Sequence, residues 1–149
     1  MPSQFIYKSG DHSFKDRLTT ASTAIARGDA LKKSSGKVLP MTTGTNFEGI
    51  AQGVKTSGDA ATTAISVLKA NPMETLFHAN EKRASGSLAA TDEGSLCDMT
   101  GASGAMGFDS SGTDDGTADI YLDTVLATGA TDVGRALIAF ADPAQLAYA

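Results

Sequence analysis

Short runs in which apolar and small polar residues alternate, cut by clusters of Gly, Ser and Asn, set the pattern of this chain. Ala61, Thr63, Ile65 and Val67 alternate with Thr62, Ala64, Ser66 and Leu68, and Met73, Thr75, Phe77 and Ala79 alternate with Glu74, Leu76, His78 and Asn80. A period of two is that of a strand, whose successive side chains point to opposite faces. The same reading predicts strands over 29–32, 37–41, 47–55, 61–69, 73–79, 95–99, 106–109, 117–122 and 133–141. Ser34-Ser35-Gly36, Gly101-Ala102-Ser103-Gly104, Ser110-Ser111-Gly112 and Thr128-Gly129-Ala130 supply turns between them. Pro40 has no N–H to give to a ladder and puts its strand at a sheet edge or strand end. The run 61–69 is small or apolar on both faces, which suits a strand covered on two sides.

Residues Phe14 to Arg27 carry two signals. Phe14, Leu18, Ala21 and Ile25 fall at helical spacing, whereas Thr19-Thr20-Ala21-Ser22-Thr23 favours strand or turn. Extended structure is expected there, with Asp11 or Ser13 as the cap if a short helix forms instead. The fold class that follows is mainly β, a small irregular β-barrel or β-sandwich with at most one short helix. No repeat of fixed period between about 20 and 50 residues is visible, which argues against solenoids and propellers. Residues 1–10 read as an extended N-terminal arm and 11–149 as a single β-rich domain, with 84–88 as the place where two lobes would divide.

Composition shows what kind of core is available. The 149 residues include 11 Leu, 6 Ile, 5 Val and 6 Phe, while Ala, Gly, Thr and Ser fill 71 positions. A core of small side chains is expected to lean on neighbours for part of its stability. Charge is divided along the chain. Residues 1–83 hold 11 Lys and Arg against 7 Asp and Glu, and residues 84–149 hold Arg135 against 10 acids. Such a chain can turn a basic surface to one partner and an acidic surface to another.

Several chemistries are disfavoured by their missing parts. No apolar run approaches the roughly 18 residues of a spanning helix, and the start lacks a signal peptide's pattern, so a chain without a membrane partner, made in the cytosol, is expected. Cys97 is the only cysteine and His12 and His78 the only histidines, so thiolate-rich and histidine-rich metal sites are not expected. Gly36-Lys37 is followed by Val38 and lacks the glycine five residues earlier that a phosphate loop needs. The glycines of 101–107 are not set between a strand and a helix, as a dinucleotide site requires. Residues 109–119 form an acidic loop without calcium-loop spacing, and read as a solvated hairpin. A nucleophilic Ser, Thr or Cys would need His12 or His78 as its base, and Cys97 with His78 is the sole conceivable Cys-His pair; a small buried thiol and a strand-surface imidazole are the simpler reading. The basic and aromatic residues near the N-terminus are outweighed by a pI near 4.8, so direct nucleic-acid binding is not expected. No catalytic residue, cofactor or metal is therefore assigned, and an enzyme is not expected.

With those signatures missing, the order of the strands becomes the best guide. Gly28-Asp29-Ala30-Leu31, Gly36-Lys37-Val38-Leu39-Pro40, Phe47-Glu48-Gly49-Ile50-Ala51-Gln52-Gly53 and Ala64-Ile65-Ser66-Val67-Leu68 together resemble the small capsid decoration, or cement, proteins of tailed bacteriophages. Gly94-Ser95-Leu96-Cys97-Asp98-Met99 and the closing run Val133 to Phe140 are similar in style, while the Asp-rich loop departs from the shorter members. The resemblance implies a β-tulip-like fold and a structural virion protein on the outer surface of the mature capsid. There it would stabilise the shell by bridging subunits of the major capsid protein, as a homotrimer. A tail-tube subunit or head-fibre base is the alternative of the same style.

Within that reading the arm supplies the capsid contact. Phe5, Ile6, Tyr7 and Lys8 are expected to reach a neighbouring subunit and add a strand to its sheet edge, burying the three apolar side chains. Deleting residues 1–8 is then expected to weaken attachment and leave the fold intact, which occupancy on capsids and a thermal melt would check together.

Overall fold

Alternation in the sequence becomes eleven strands among the described residues, because each apolar set needs one face of a sheet to bury it. The computed structural model describes residues 4–41, 47–58, 63–71, 74–82, 86–111 and 120–141. In chain order the strands are β1 Ile6–Ser9, β2 His12–Leu18, β3 Ala30–Ser34, β4 Lys37–Pro40, β5 Phe47–Ala51 and β6 Ala64–Ala70, then β7 Leu76–Asn80, β8 Leu96–Thr100, β9 Gly107–Asp109, β10 Ile120–Ala127 and β11 Arg135–Phe140. A single 3-10 turn, Ala90–Asp92, is the one helical piece among the described residues. The expected strands that reach back to Ala61, Met73 and Thr117 begin outside the described residues.

Two antiparallel sheets result, a five-stranded one ordered β2-β6-β5-β3-β4 and a six-stranded one ordered β1-β7-β11-β10-β8-β9. Pro40 sits in β4, an edge strand, where its missing N–H costs nothing. Each sheet curls towards itself without closing, so the architecture is sandwich-like and not a closed barrel. A single parallel bridge approaches closure in each: Thr19 with Val38 in the first and Glu81 with Phe108 in the second. The chain changes sheet between β1 and β2 and again between β6 and β7, and not at the charge boundary of 84–88. Of the expected arm, residues 4–10 are described and do not hang free, since β1 pairs with β7 through Ile6 opposite His78 and Tyr7 opposite Phe77.

Apart from β1, the two sheets follow one plan. The order β2-β6-β5-β3-β4 matches β7-β11-β10-β8-β9 strand for strand. The match extends to single hydrogen bonds. The Gly28 N–H donates to the Ala51 carbonyl (2.8 Å) and the Ala51 N–H to the Asp29 carbonyl (2.9 Å), while Gly94 donates to Leu122 (2.7 Å) and Leu122 to Ser95 (2.9 Å). Ile25 and Lys55 exchange a reciprocal pair, as do Leu88 and Gly129. Gly28 and Gly94 both hold positive φ, +89° and +86°, at the corner that turns the chain into β3 and β8.

The interiors correspond residue by residue. Inside the first curl lie Ile25, Leu31, Val38, Ala51, Ile65 and Val67. At the matching positions of the second lie Leu88, Cys97, Phe108, Leu122, Ala136 and Ile138, all fully buried. Cys97 thus occupies the place that Leu31 fills in the first sheet, a small apolar packing position.

The sheets are stacked front to back. The open end of the second curl, formed by Phe77, Met99, Ile120 and Phe140, shares one core with Ala30, Ile50 and Leu68 from the outer face of the first sheet. Phe140 stacks on Phe47 (centroids 4.0 Å, planes 13° apart) and meets Phe5 and Phe77 edge-on at 5.0 and 5.7 Å. A twofold arrangement would have set equivalent faces against each other, and these faces are not equivalent. Because Phe140 touches both sheets and the N-terminal segment, Phe140→Ala should cost about 3–5 kcal/mol, read as a lower urea midpoint of a still single transition.

Candidate interaction surface

The segment assigned to capsid contact divides into an inner and an outer part. Phe5 is 2% exposed and belongs to the shared core. Gln4 is buried beside it, its side-chain amide donating to the Asp29 carboxylate (2.7 Å) and the Arg27 carbonyl (3.0 Å) and its Oε1 accepting from the Met106 N–H (3.0 Å). Asp29 is fully buried. Its two oxygens also accept from the N–H groups of Ala26 and Gly104, both at 2.9 Å, and from the Ser103 hydroxyl. Four donors thus satisfy both oxygens of this buried side chain. The pair Gly28-Asp29 is therefore a structural seam: Gly28 must lack a Cβ, which would lie 2.8 Å from the Gln4 Cβ, and Asp29 ties the N-terminal segment to both sheets.

The expectation that all three apolar arm residues are free to bury against a partner fails at Phe5, which this chain's own core consumes. Ile6, Tyr7 and Lys8 remain outside, with Ile6 52% and Tyr7 37% exposed. The Tyr7 hydroxyl donates to the Gly10 carbonyl (2.9 Å), and its ring lies 4.4 Å from His12, which meets Phe14 edge-on at 5.4 Å. Phe14 is 59% and Leu18 45% exposed on β2. Since β1 and β2 are the edge strands of their sheets, Tyr7, His12 and Phe14 form an aromatic row where the two edges meet, with Ile6 and Leu18 exposed elsewhere on the same two strands. A groove of about 510 Å³ runs beside it, lined by Phe5, Ile6, Tyr7, Arg27, Ala51 and Gln52. Of the residues expected at a capsid contact, Ile6, Tyr7 and Lys8 lie on this surface; His12, Phe14 and Leu18, which lie there too, were not among them, and their alternation in β2 was the available signal.

The first sheet carries a second, basic feature. Glu48 is the extra residue of a bulge in β5, between Gly49 opposite Leu31 and Phe47 opposite Lys32, and the bulge turns its carboxylate towards the open end of the curl. There it accepts from Arg17 Nε (2.8 Å) and lies 3.8 Å from Lys69 Nζ. Lys33 borders the same opening, and Lys15 lies opposite Val67 on the same face.

The residues weighed for catalysis are not brought together. Cys97 faces the interior of its sheet, whereas His78 alternates with the buried Phe77 and Ala79 and faces outward. Burial, with the nearby carboxylates of Glu81, Asp98, Asp109 and Asp92, pushes the Cys97 thiol far above its ordinary range. Asp92 and Glu93 are occupied locally, accepting from the N–H groups of Ala89 (2.8 Å) and Val125 (3.1 Å). Of the acidic loop, residues 109–111 form a turn in which Asp109 accepts from the Ser111 N–H (2.9 Å), and 112–119 lie outside the described residues. Among the described residues no group of three His, Cys, Asp or Glu is placed to hold a metal. No helix among them is long and apolar enough to cross a membrane. The chain matches no family model, no curated protein and no solved structure.

Two outcomes follow. Deleting residues 1–8 should lower the stability of the domain itself by several kcal/mol, because Phe5 and the Gln4–Asp29 contact go with it, whereas Ile6→Ser with Tyr7→Ser should shift it by about 1 kcal/mol or less; urea unfolding compares them. Since the thiolate is the reactive form and the raised thiol stays protonated, iodoacetamide should label native Cys97 slowly from about pH 7 to about 9 and rapidly in urea.

Proposed function

We propose that this chain is a structural virion protein that binds the outer surface of a phage capsid and stabilises the shell by bridging major capsid protein subunits. The observation that carries the reading is the exposure of Ile6, Tyr7, Phe14 and Leu18 on two adjacent edge strands. Open edges of this kind offer unpaired backbone groups, and proteins that act alone cover or charge them. A partner strand laid along β1 or β2 would satisfy those groups and bury those side chains. The style of the strand series 28–68 supports the same reading, as does a core built on small residues that gains from burying interfaces.

The arm therefore acts in a different way from a free hook. Phe5 and Gln4 lock β1 onto β7, and the strand so fixed presents Ile6, Tyr7 and Lys8 without an ordering cost at the moment of binding. Full burial of each apolar side chain is worth roughly 1.5–3 kcal/mol, and many weak contacts over a shell add through multivalency.

Binding of the purified chain to expanded, DNA-free shells tests the reading. The wild type should co-sediment with shells, and Ile6→Ser with Phe14→Ser should lose at least tenfold in affinity while keeping the wild-type melt. Equal occupancy by the variant would remove these side chains from the contact, and no binding by the folded wild type to any expanded shell of its own phage would end the proposal.

A further inference from the structure

The groove beside β1 lies between the two sheets. One side of it is the strand itself, through Ile6 and Tyr7, and the other is a corner of the first sheet, through Arg27, Ala51 and Gln52. The Phe5 N–H donates to the Gly28 carbonyl (3.4 Å), and so points away from β7 and towards that corner. Alternate residues of an extended strand aim their N–H and C=O at the same edge. Tyr7 therefore turns both groups to the groove side, where no strand pairs with β1.

The neighbouring edge is guarded. β2 carries Lys15, Asp16 and Arg17 in succession, and charges of this kind discourage a foreign strand from pairing. The residues that follow β2 are already met by β4, through the bridge of Thr19 to Val38 and the Thr20 N–H donating to the Val38 carbonyl (3.3 Å). β1 carries one charge, Lys8. The groove beside it holds a second cation. Arg27 is exposed and has no ion pair, since the salt bridges among the described residues join Arg17 and Lys69 to Glu48 and Lys82 to Asp132. Asp29, two residues on, is buried and has both oxygens taken by four donors. The backbone around Arg27 is held all the same, its carbonyl accepting from the Gln4 side chain and the next N–H donating to Ala51. A fixed main chain with a free guanidinium is suited to taking a carboxylate from outside.

We infer that the groove takes an extended segment of the partner protein, added to β1 as a further strand, with an acidic side chain on Arg27 and apolar side chains against Ile6 and Ala51. The capsid role proposed above supplies the source of that segment, and the groove makes the role more specific: the edge used is β1, and the partner strand is apolar and carries a carboxylate. Backbone pairing with Tyr7 gives affinity that any extended segment would share, and the guanidinium gives the selection. A second copy of this chain fits less well, since two β1 strands side by side would gather Lys8 and Arg27 of both into one seam, and β1 holds no acid to answer them.

Two capped peptides of alternating Val and Thr, alike except for a central Glu or a central Lys, test the groove without any capsid, with the full chain followed by amide NMR and hydrogen exchange. In the free chain the Tyr7 amide should exchange quickly. The Glu peptide should slow it at least about tenfold, move the signals of Gly28 and Gln52, and bind at least about fivefold tighter than the Lys peptide. Arg27→Glu should reverse that preference and keep the wild-type melt; if its melt differs, Arg27→Gln replaces it and should erase the preference. A Tyr7 amide already protected in the free chain, or protected only as protein concentration rises, would give the groove to the chain itself or to a second copy and overturn the inference. So would the absence of any shift up to about 5 mM peptide, shifts confined to β2, or equal affinity for the two peptides. On shells, Arg27→Glu should lose at least about tenfold in affinity. Undiminished binding by that variant would end the inference and leave the capsid reading standing, whereas peptide selection by a chain that binds no shell would end the capsid reading and leave the groove.

Discussion

An apolar opening at the end of a curled sheet has to be covered, and the rest of this fold is arranged around covering one. Phe77, Met99, Ile120 and Phe140 line the open end of the second curl, and in water their exposure would cost several kcal/mol. The outer face of the first sheet closes it, with Phe47 stacked on Phe140 and Phe5 wedged against the same ring. The seam is then fixed by a polar contact, since apolar packing alone would tolerate sliding. Asp29 accepts from Gln4, Ala26, Ser103 and Gly104, so one carboxylate holds together the N-terminal segment and both sheets.

That seam explains why the N-terminal residues behave as part of the domain. With Gln4 and Phe5 held, β1 continues as an edge of the second sheet, and the chain reverses through Gly10 into β2 at the edge of the first. Two open edges are thereby brought side by side, and the exposed aromatic row is a consequence of how the core is closed. In the proposed role, the residues that stabilise the domain and those that meet a capsid are neighbours on one strand, alternating inward and outward. The device that makes the fold rigid also presents the contact.

Much of this was legible in the sequence because strands with one buried face write a period of two. The strands around 30–41, 64–70, 76–80, 96–100 and 135–140 stand where alternation and Gly or Ser turns put them. The pairing of β1 was not legible: Phe5-Ile6-Tyr7 is too short to show a period, and its partners, Phe77 and Phe140, are far along the chain. The repeat was hidden for two reasons. Turns of unequal length separate the matching strands, so no fixed period survives. The matching side chains also changed class, Lys15 for Phe77, Lys69 for Phe140 and Leu31 for Cys97, because one copy seals a junction and the other faces outward. Only Gly28-Asp29-Ala30-Leu31 and Gly94-Ser95-Leu96-Cys97 keep a recognisable likeness, at the corner where positive φ requires glycine.

The capsid role is tested most directly by counting. Native particles separated on a density gradient, with this chain quantified against the major capsid protein in every fraction, give the ratio. A shell-bridging protein co-migrates with intact particles at about one copy per shell subunit, as many weak contacts acting together require. A chain found only at the top of the gradient, or at a handful of copies per particle, contradicts that role.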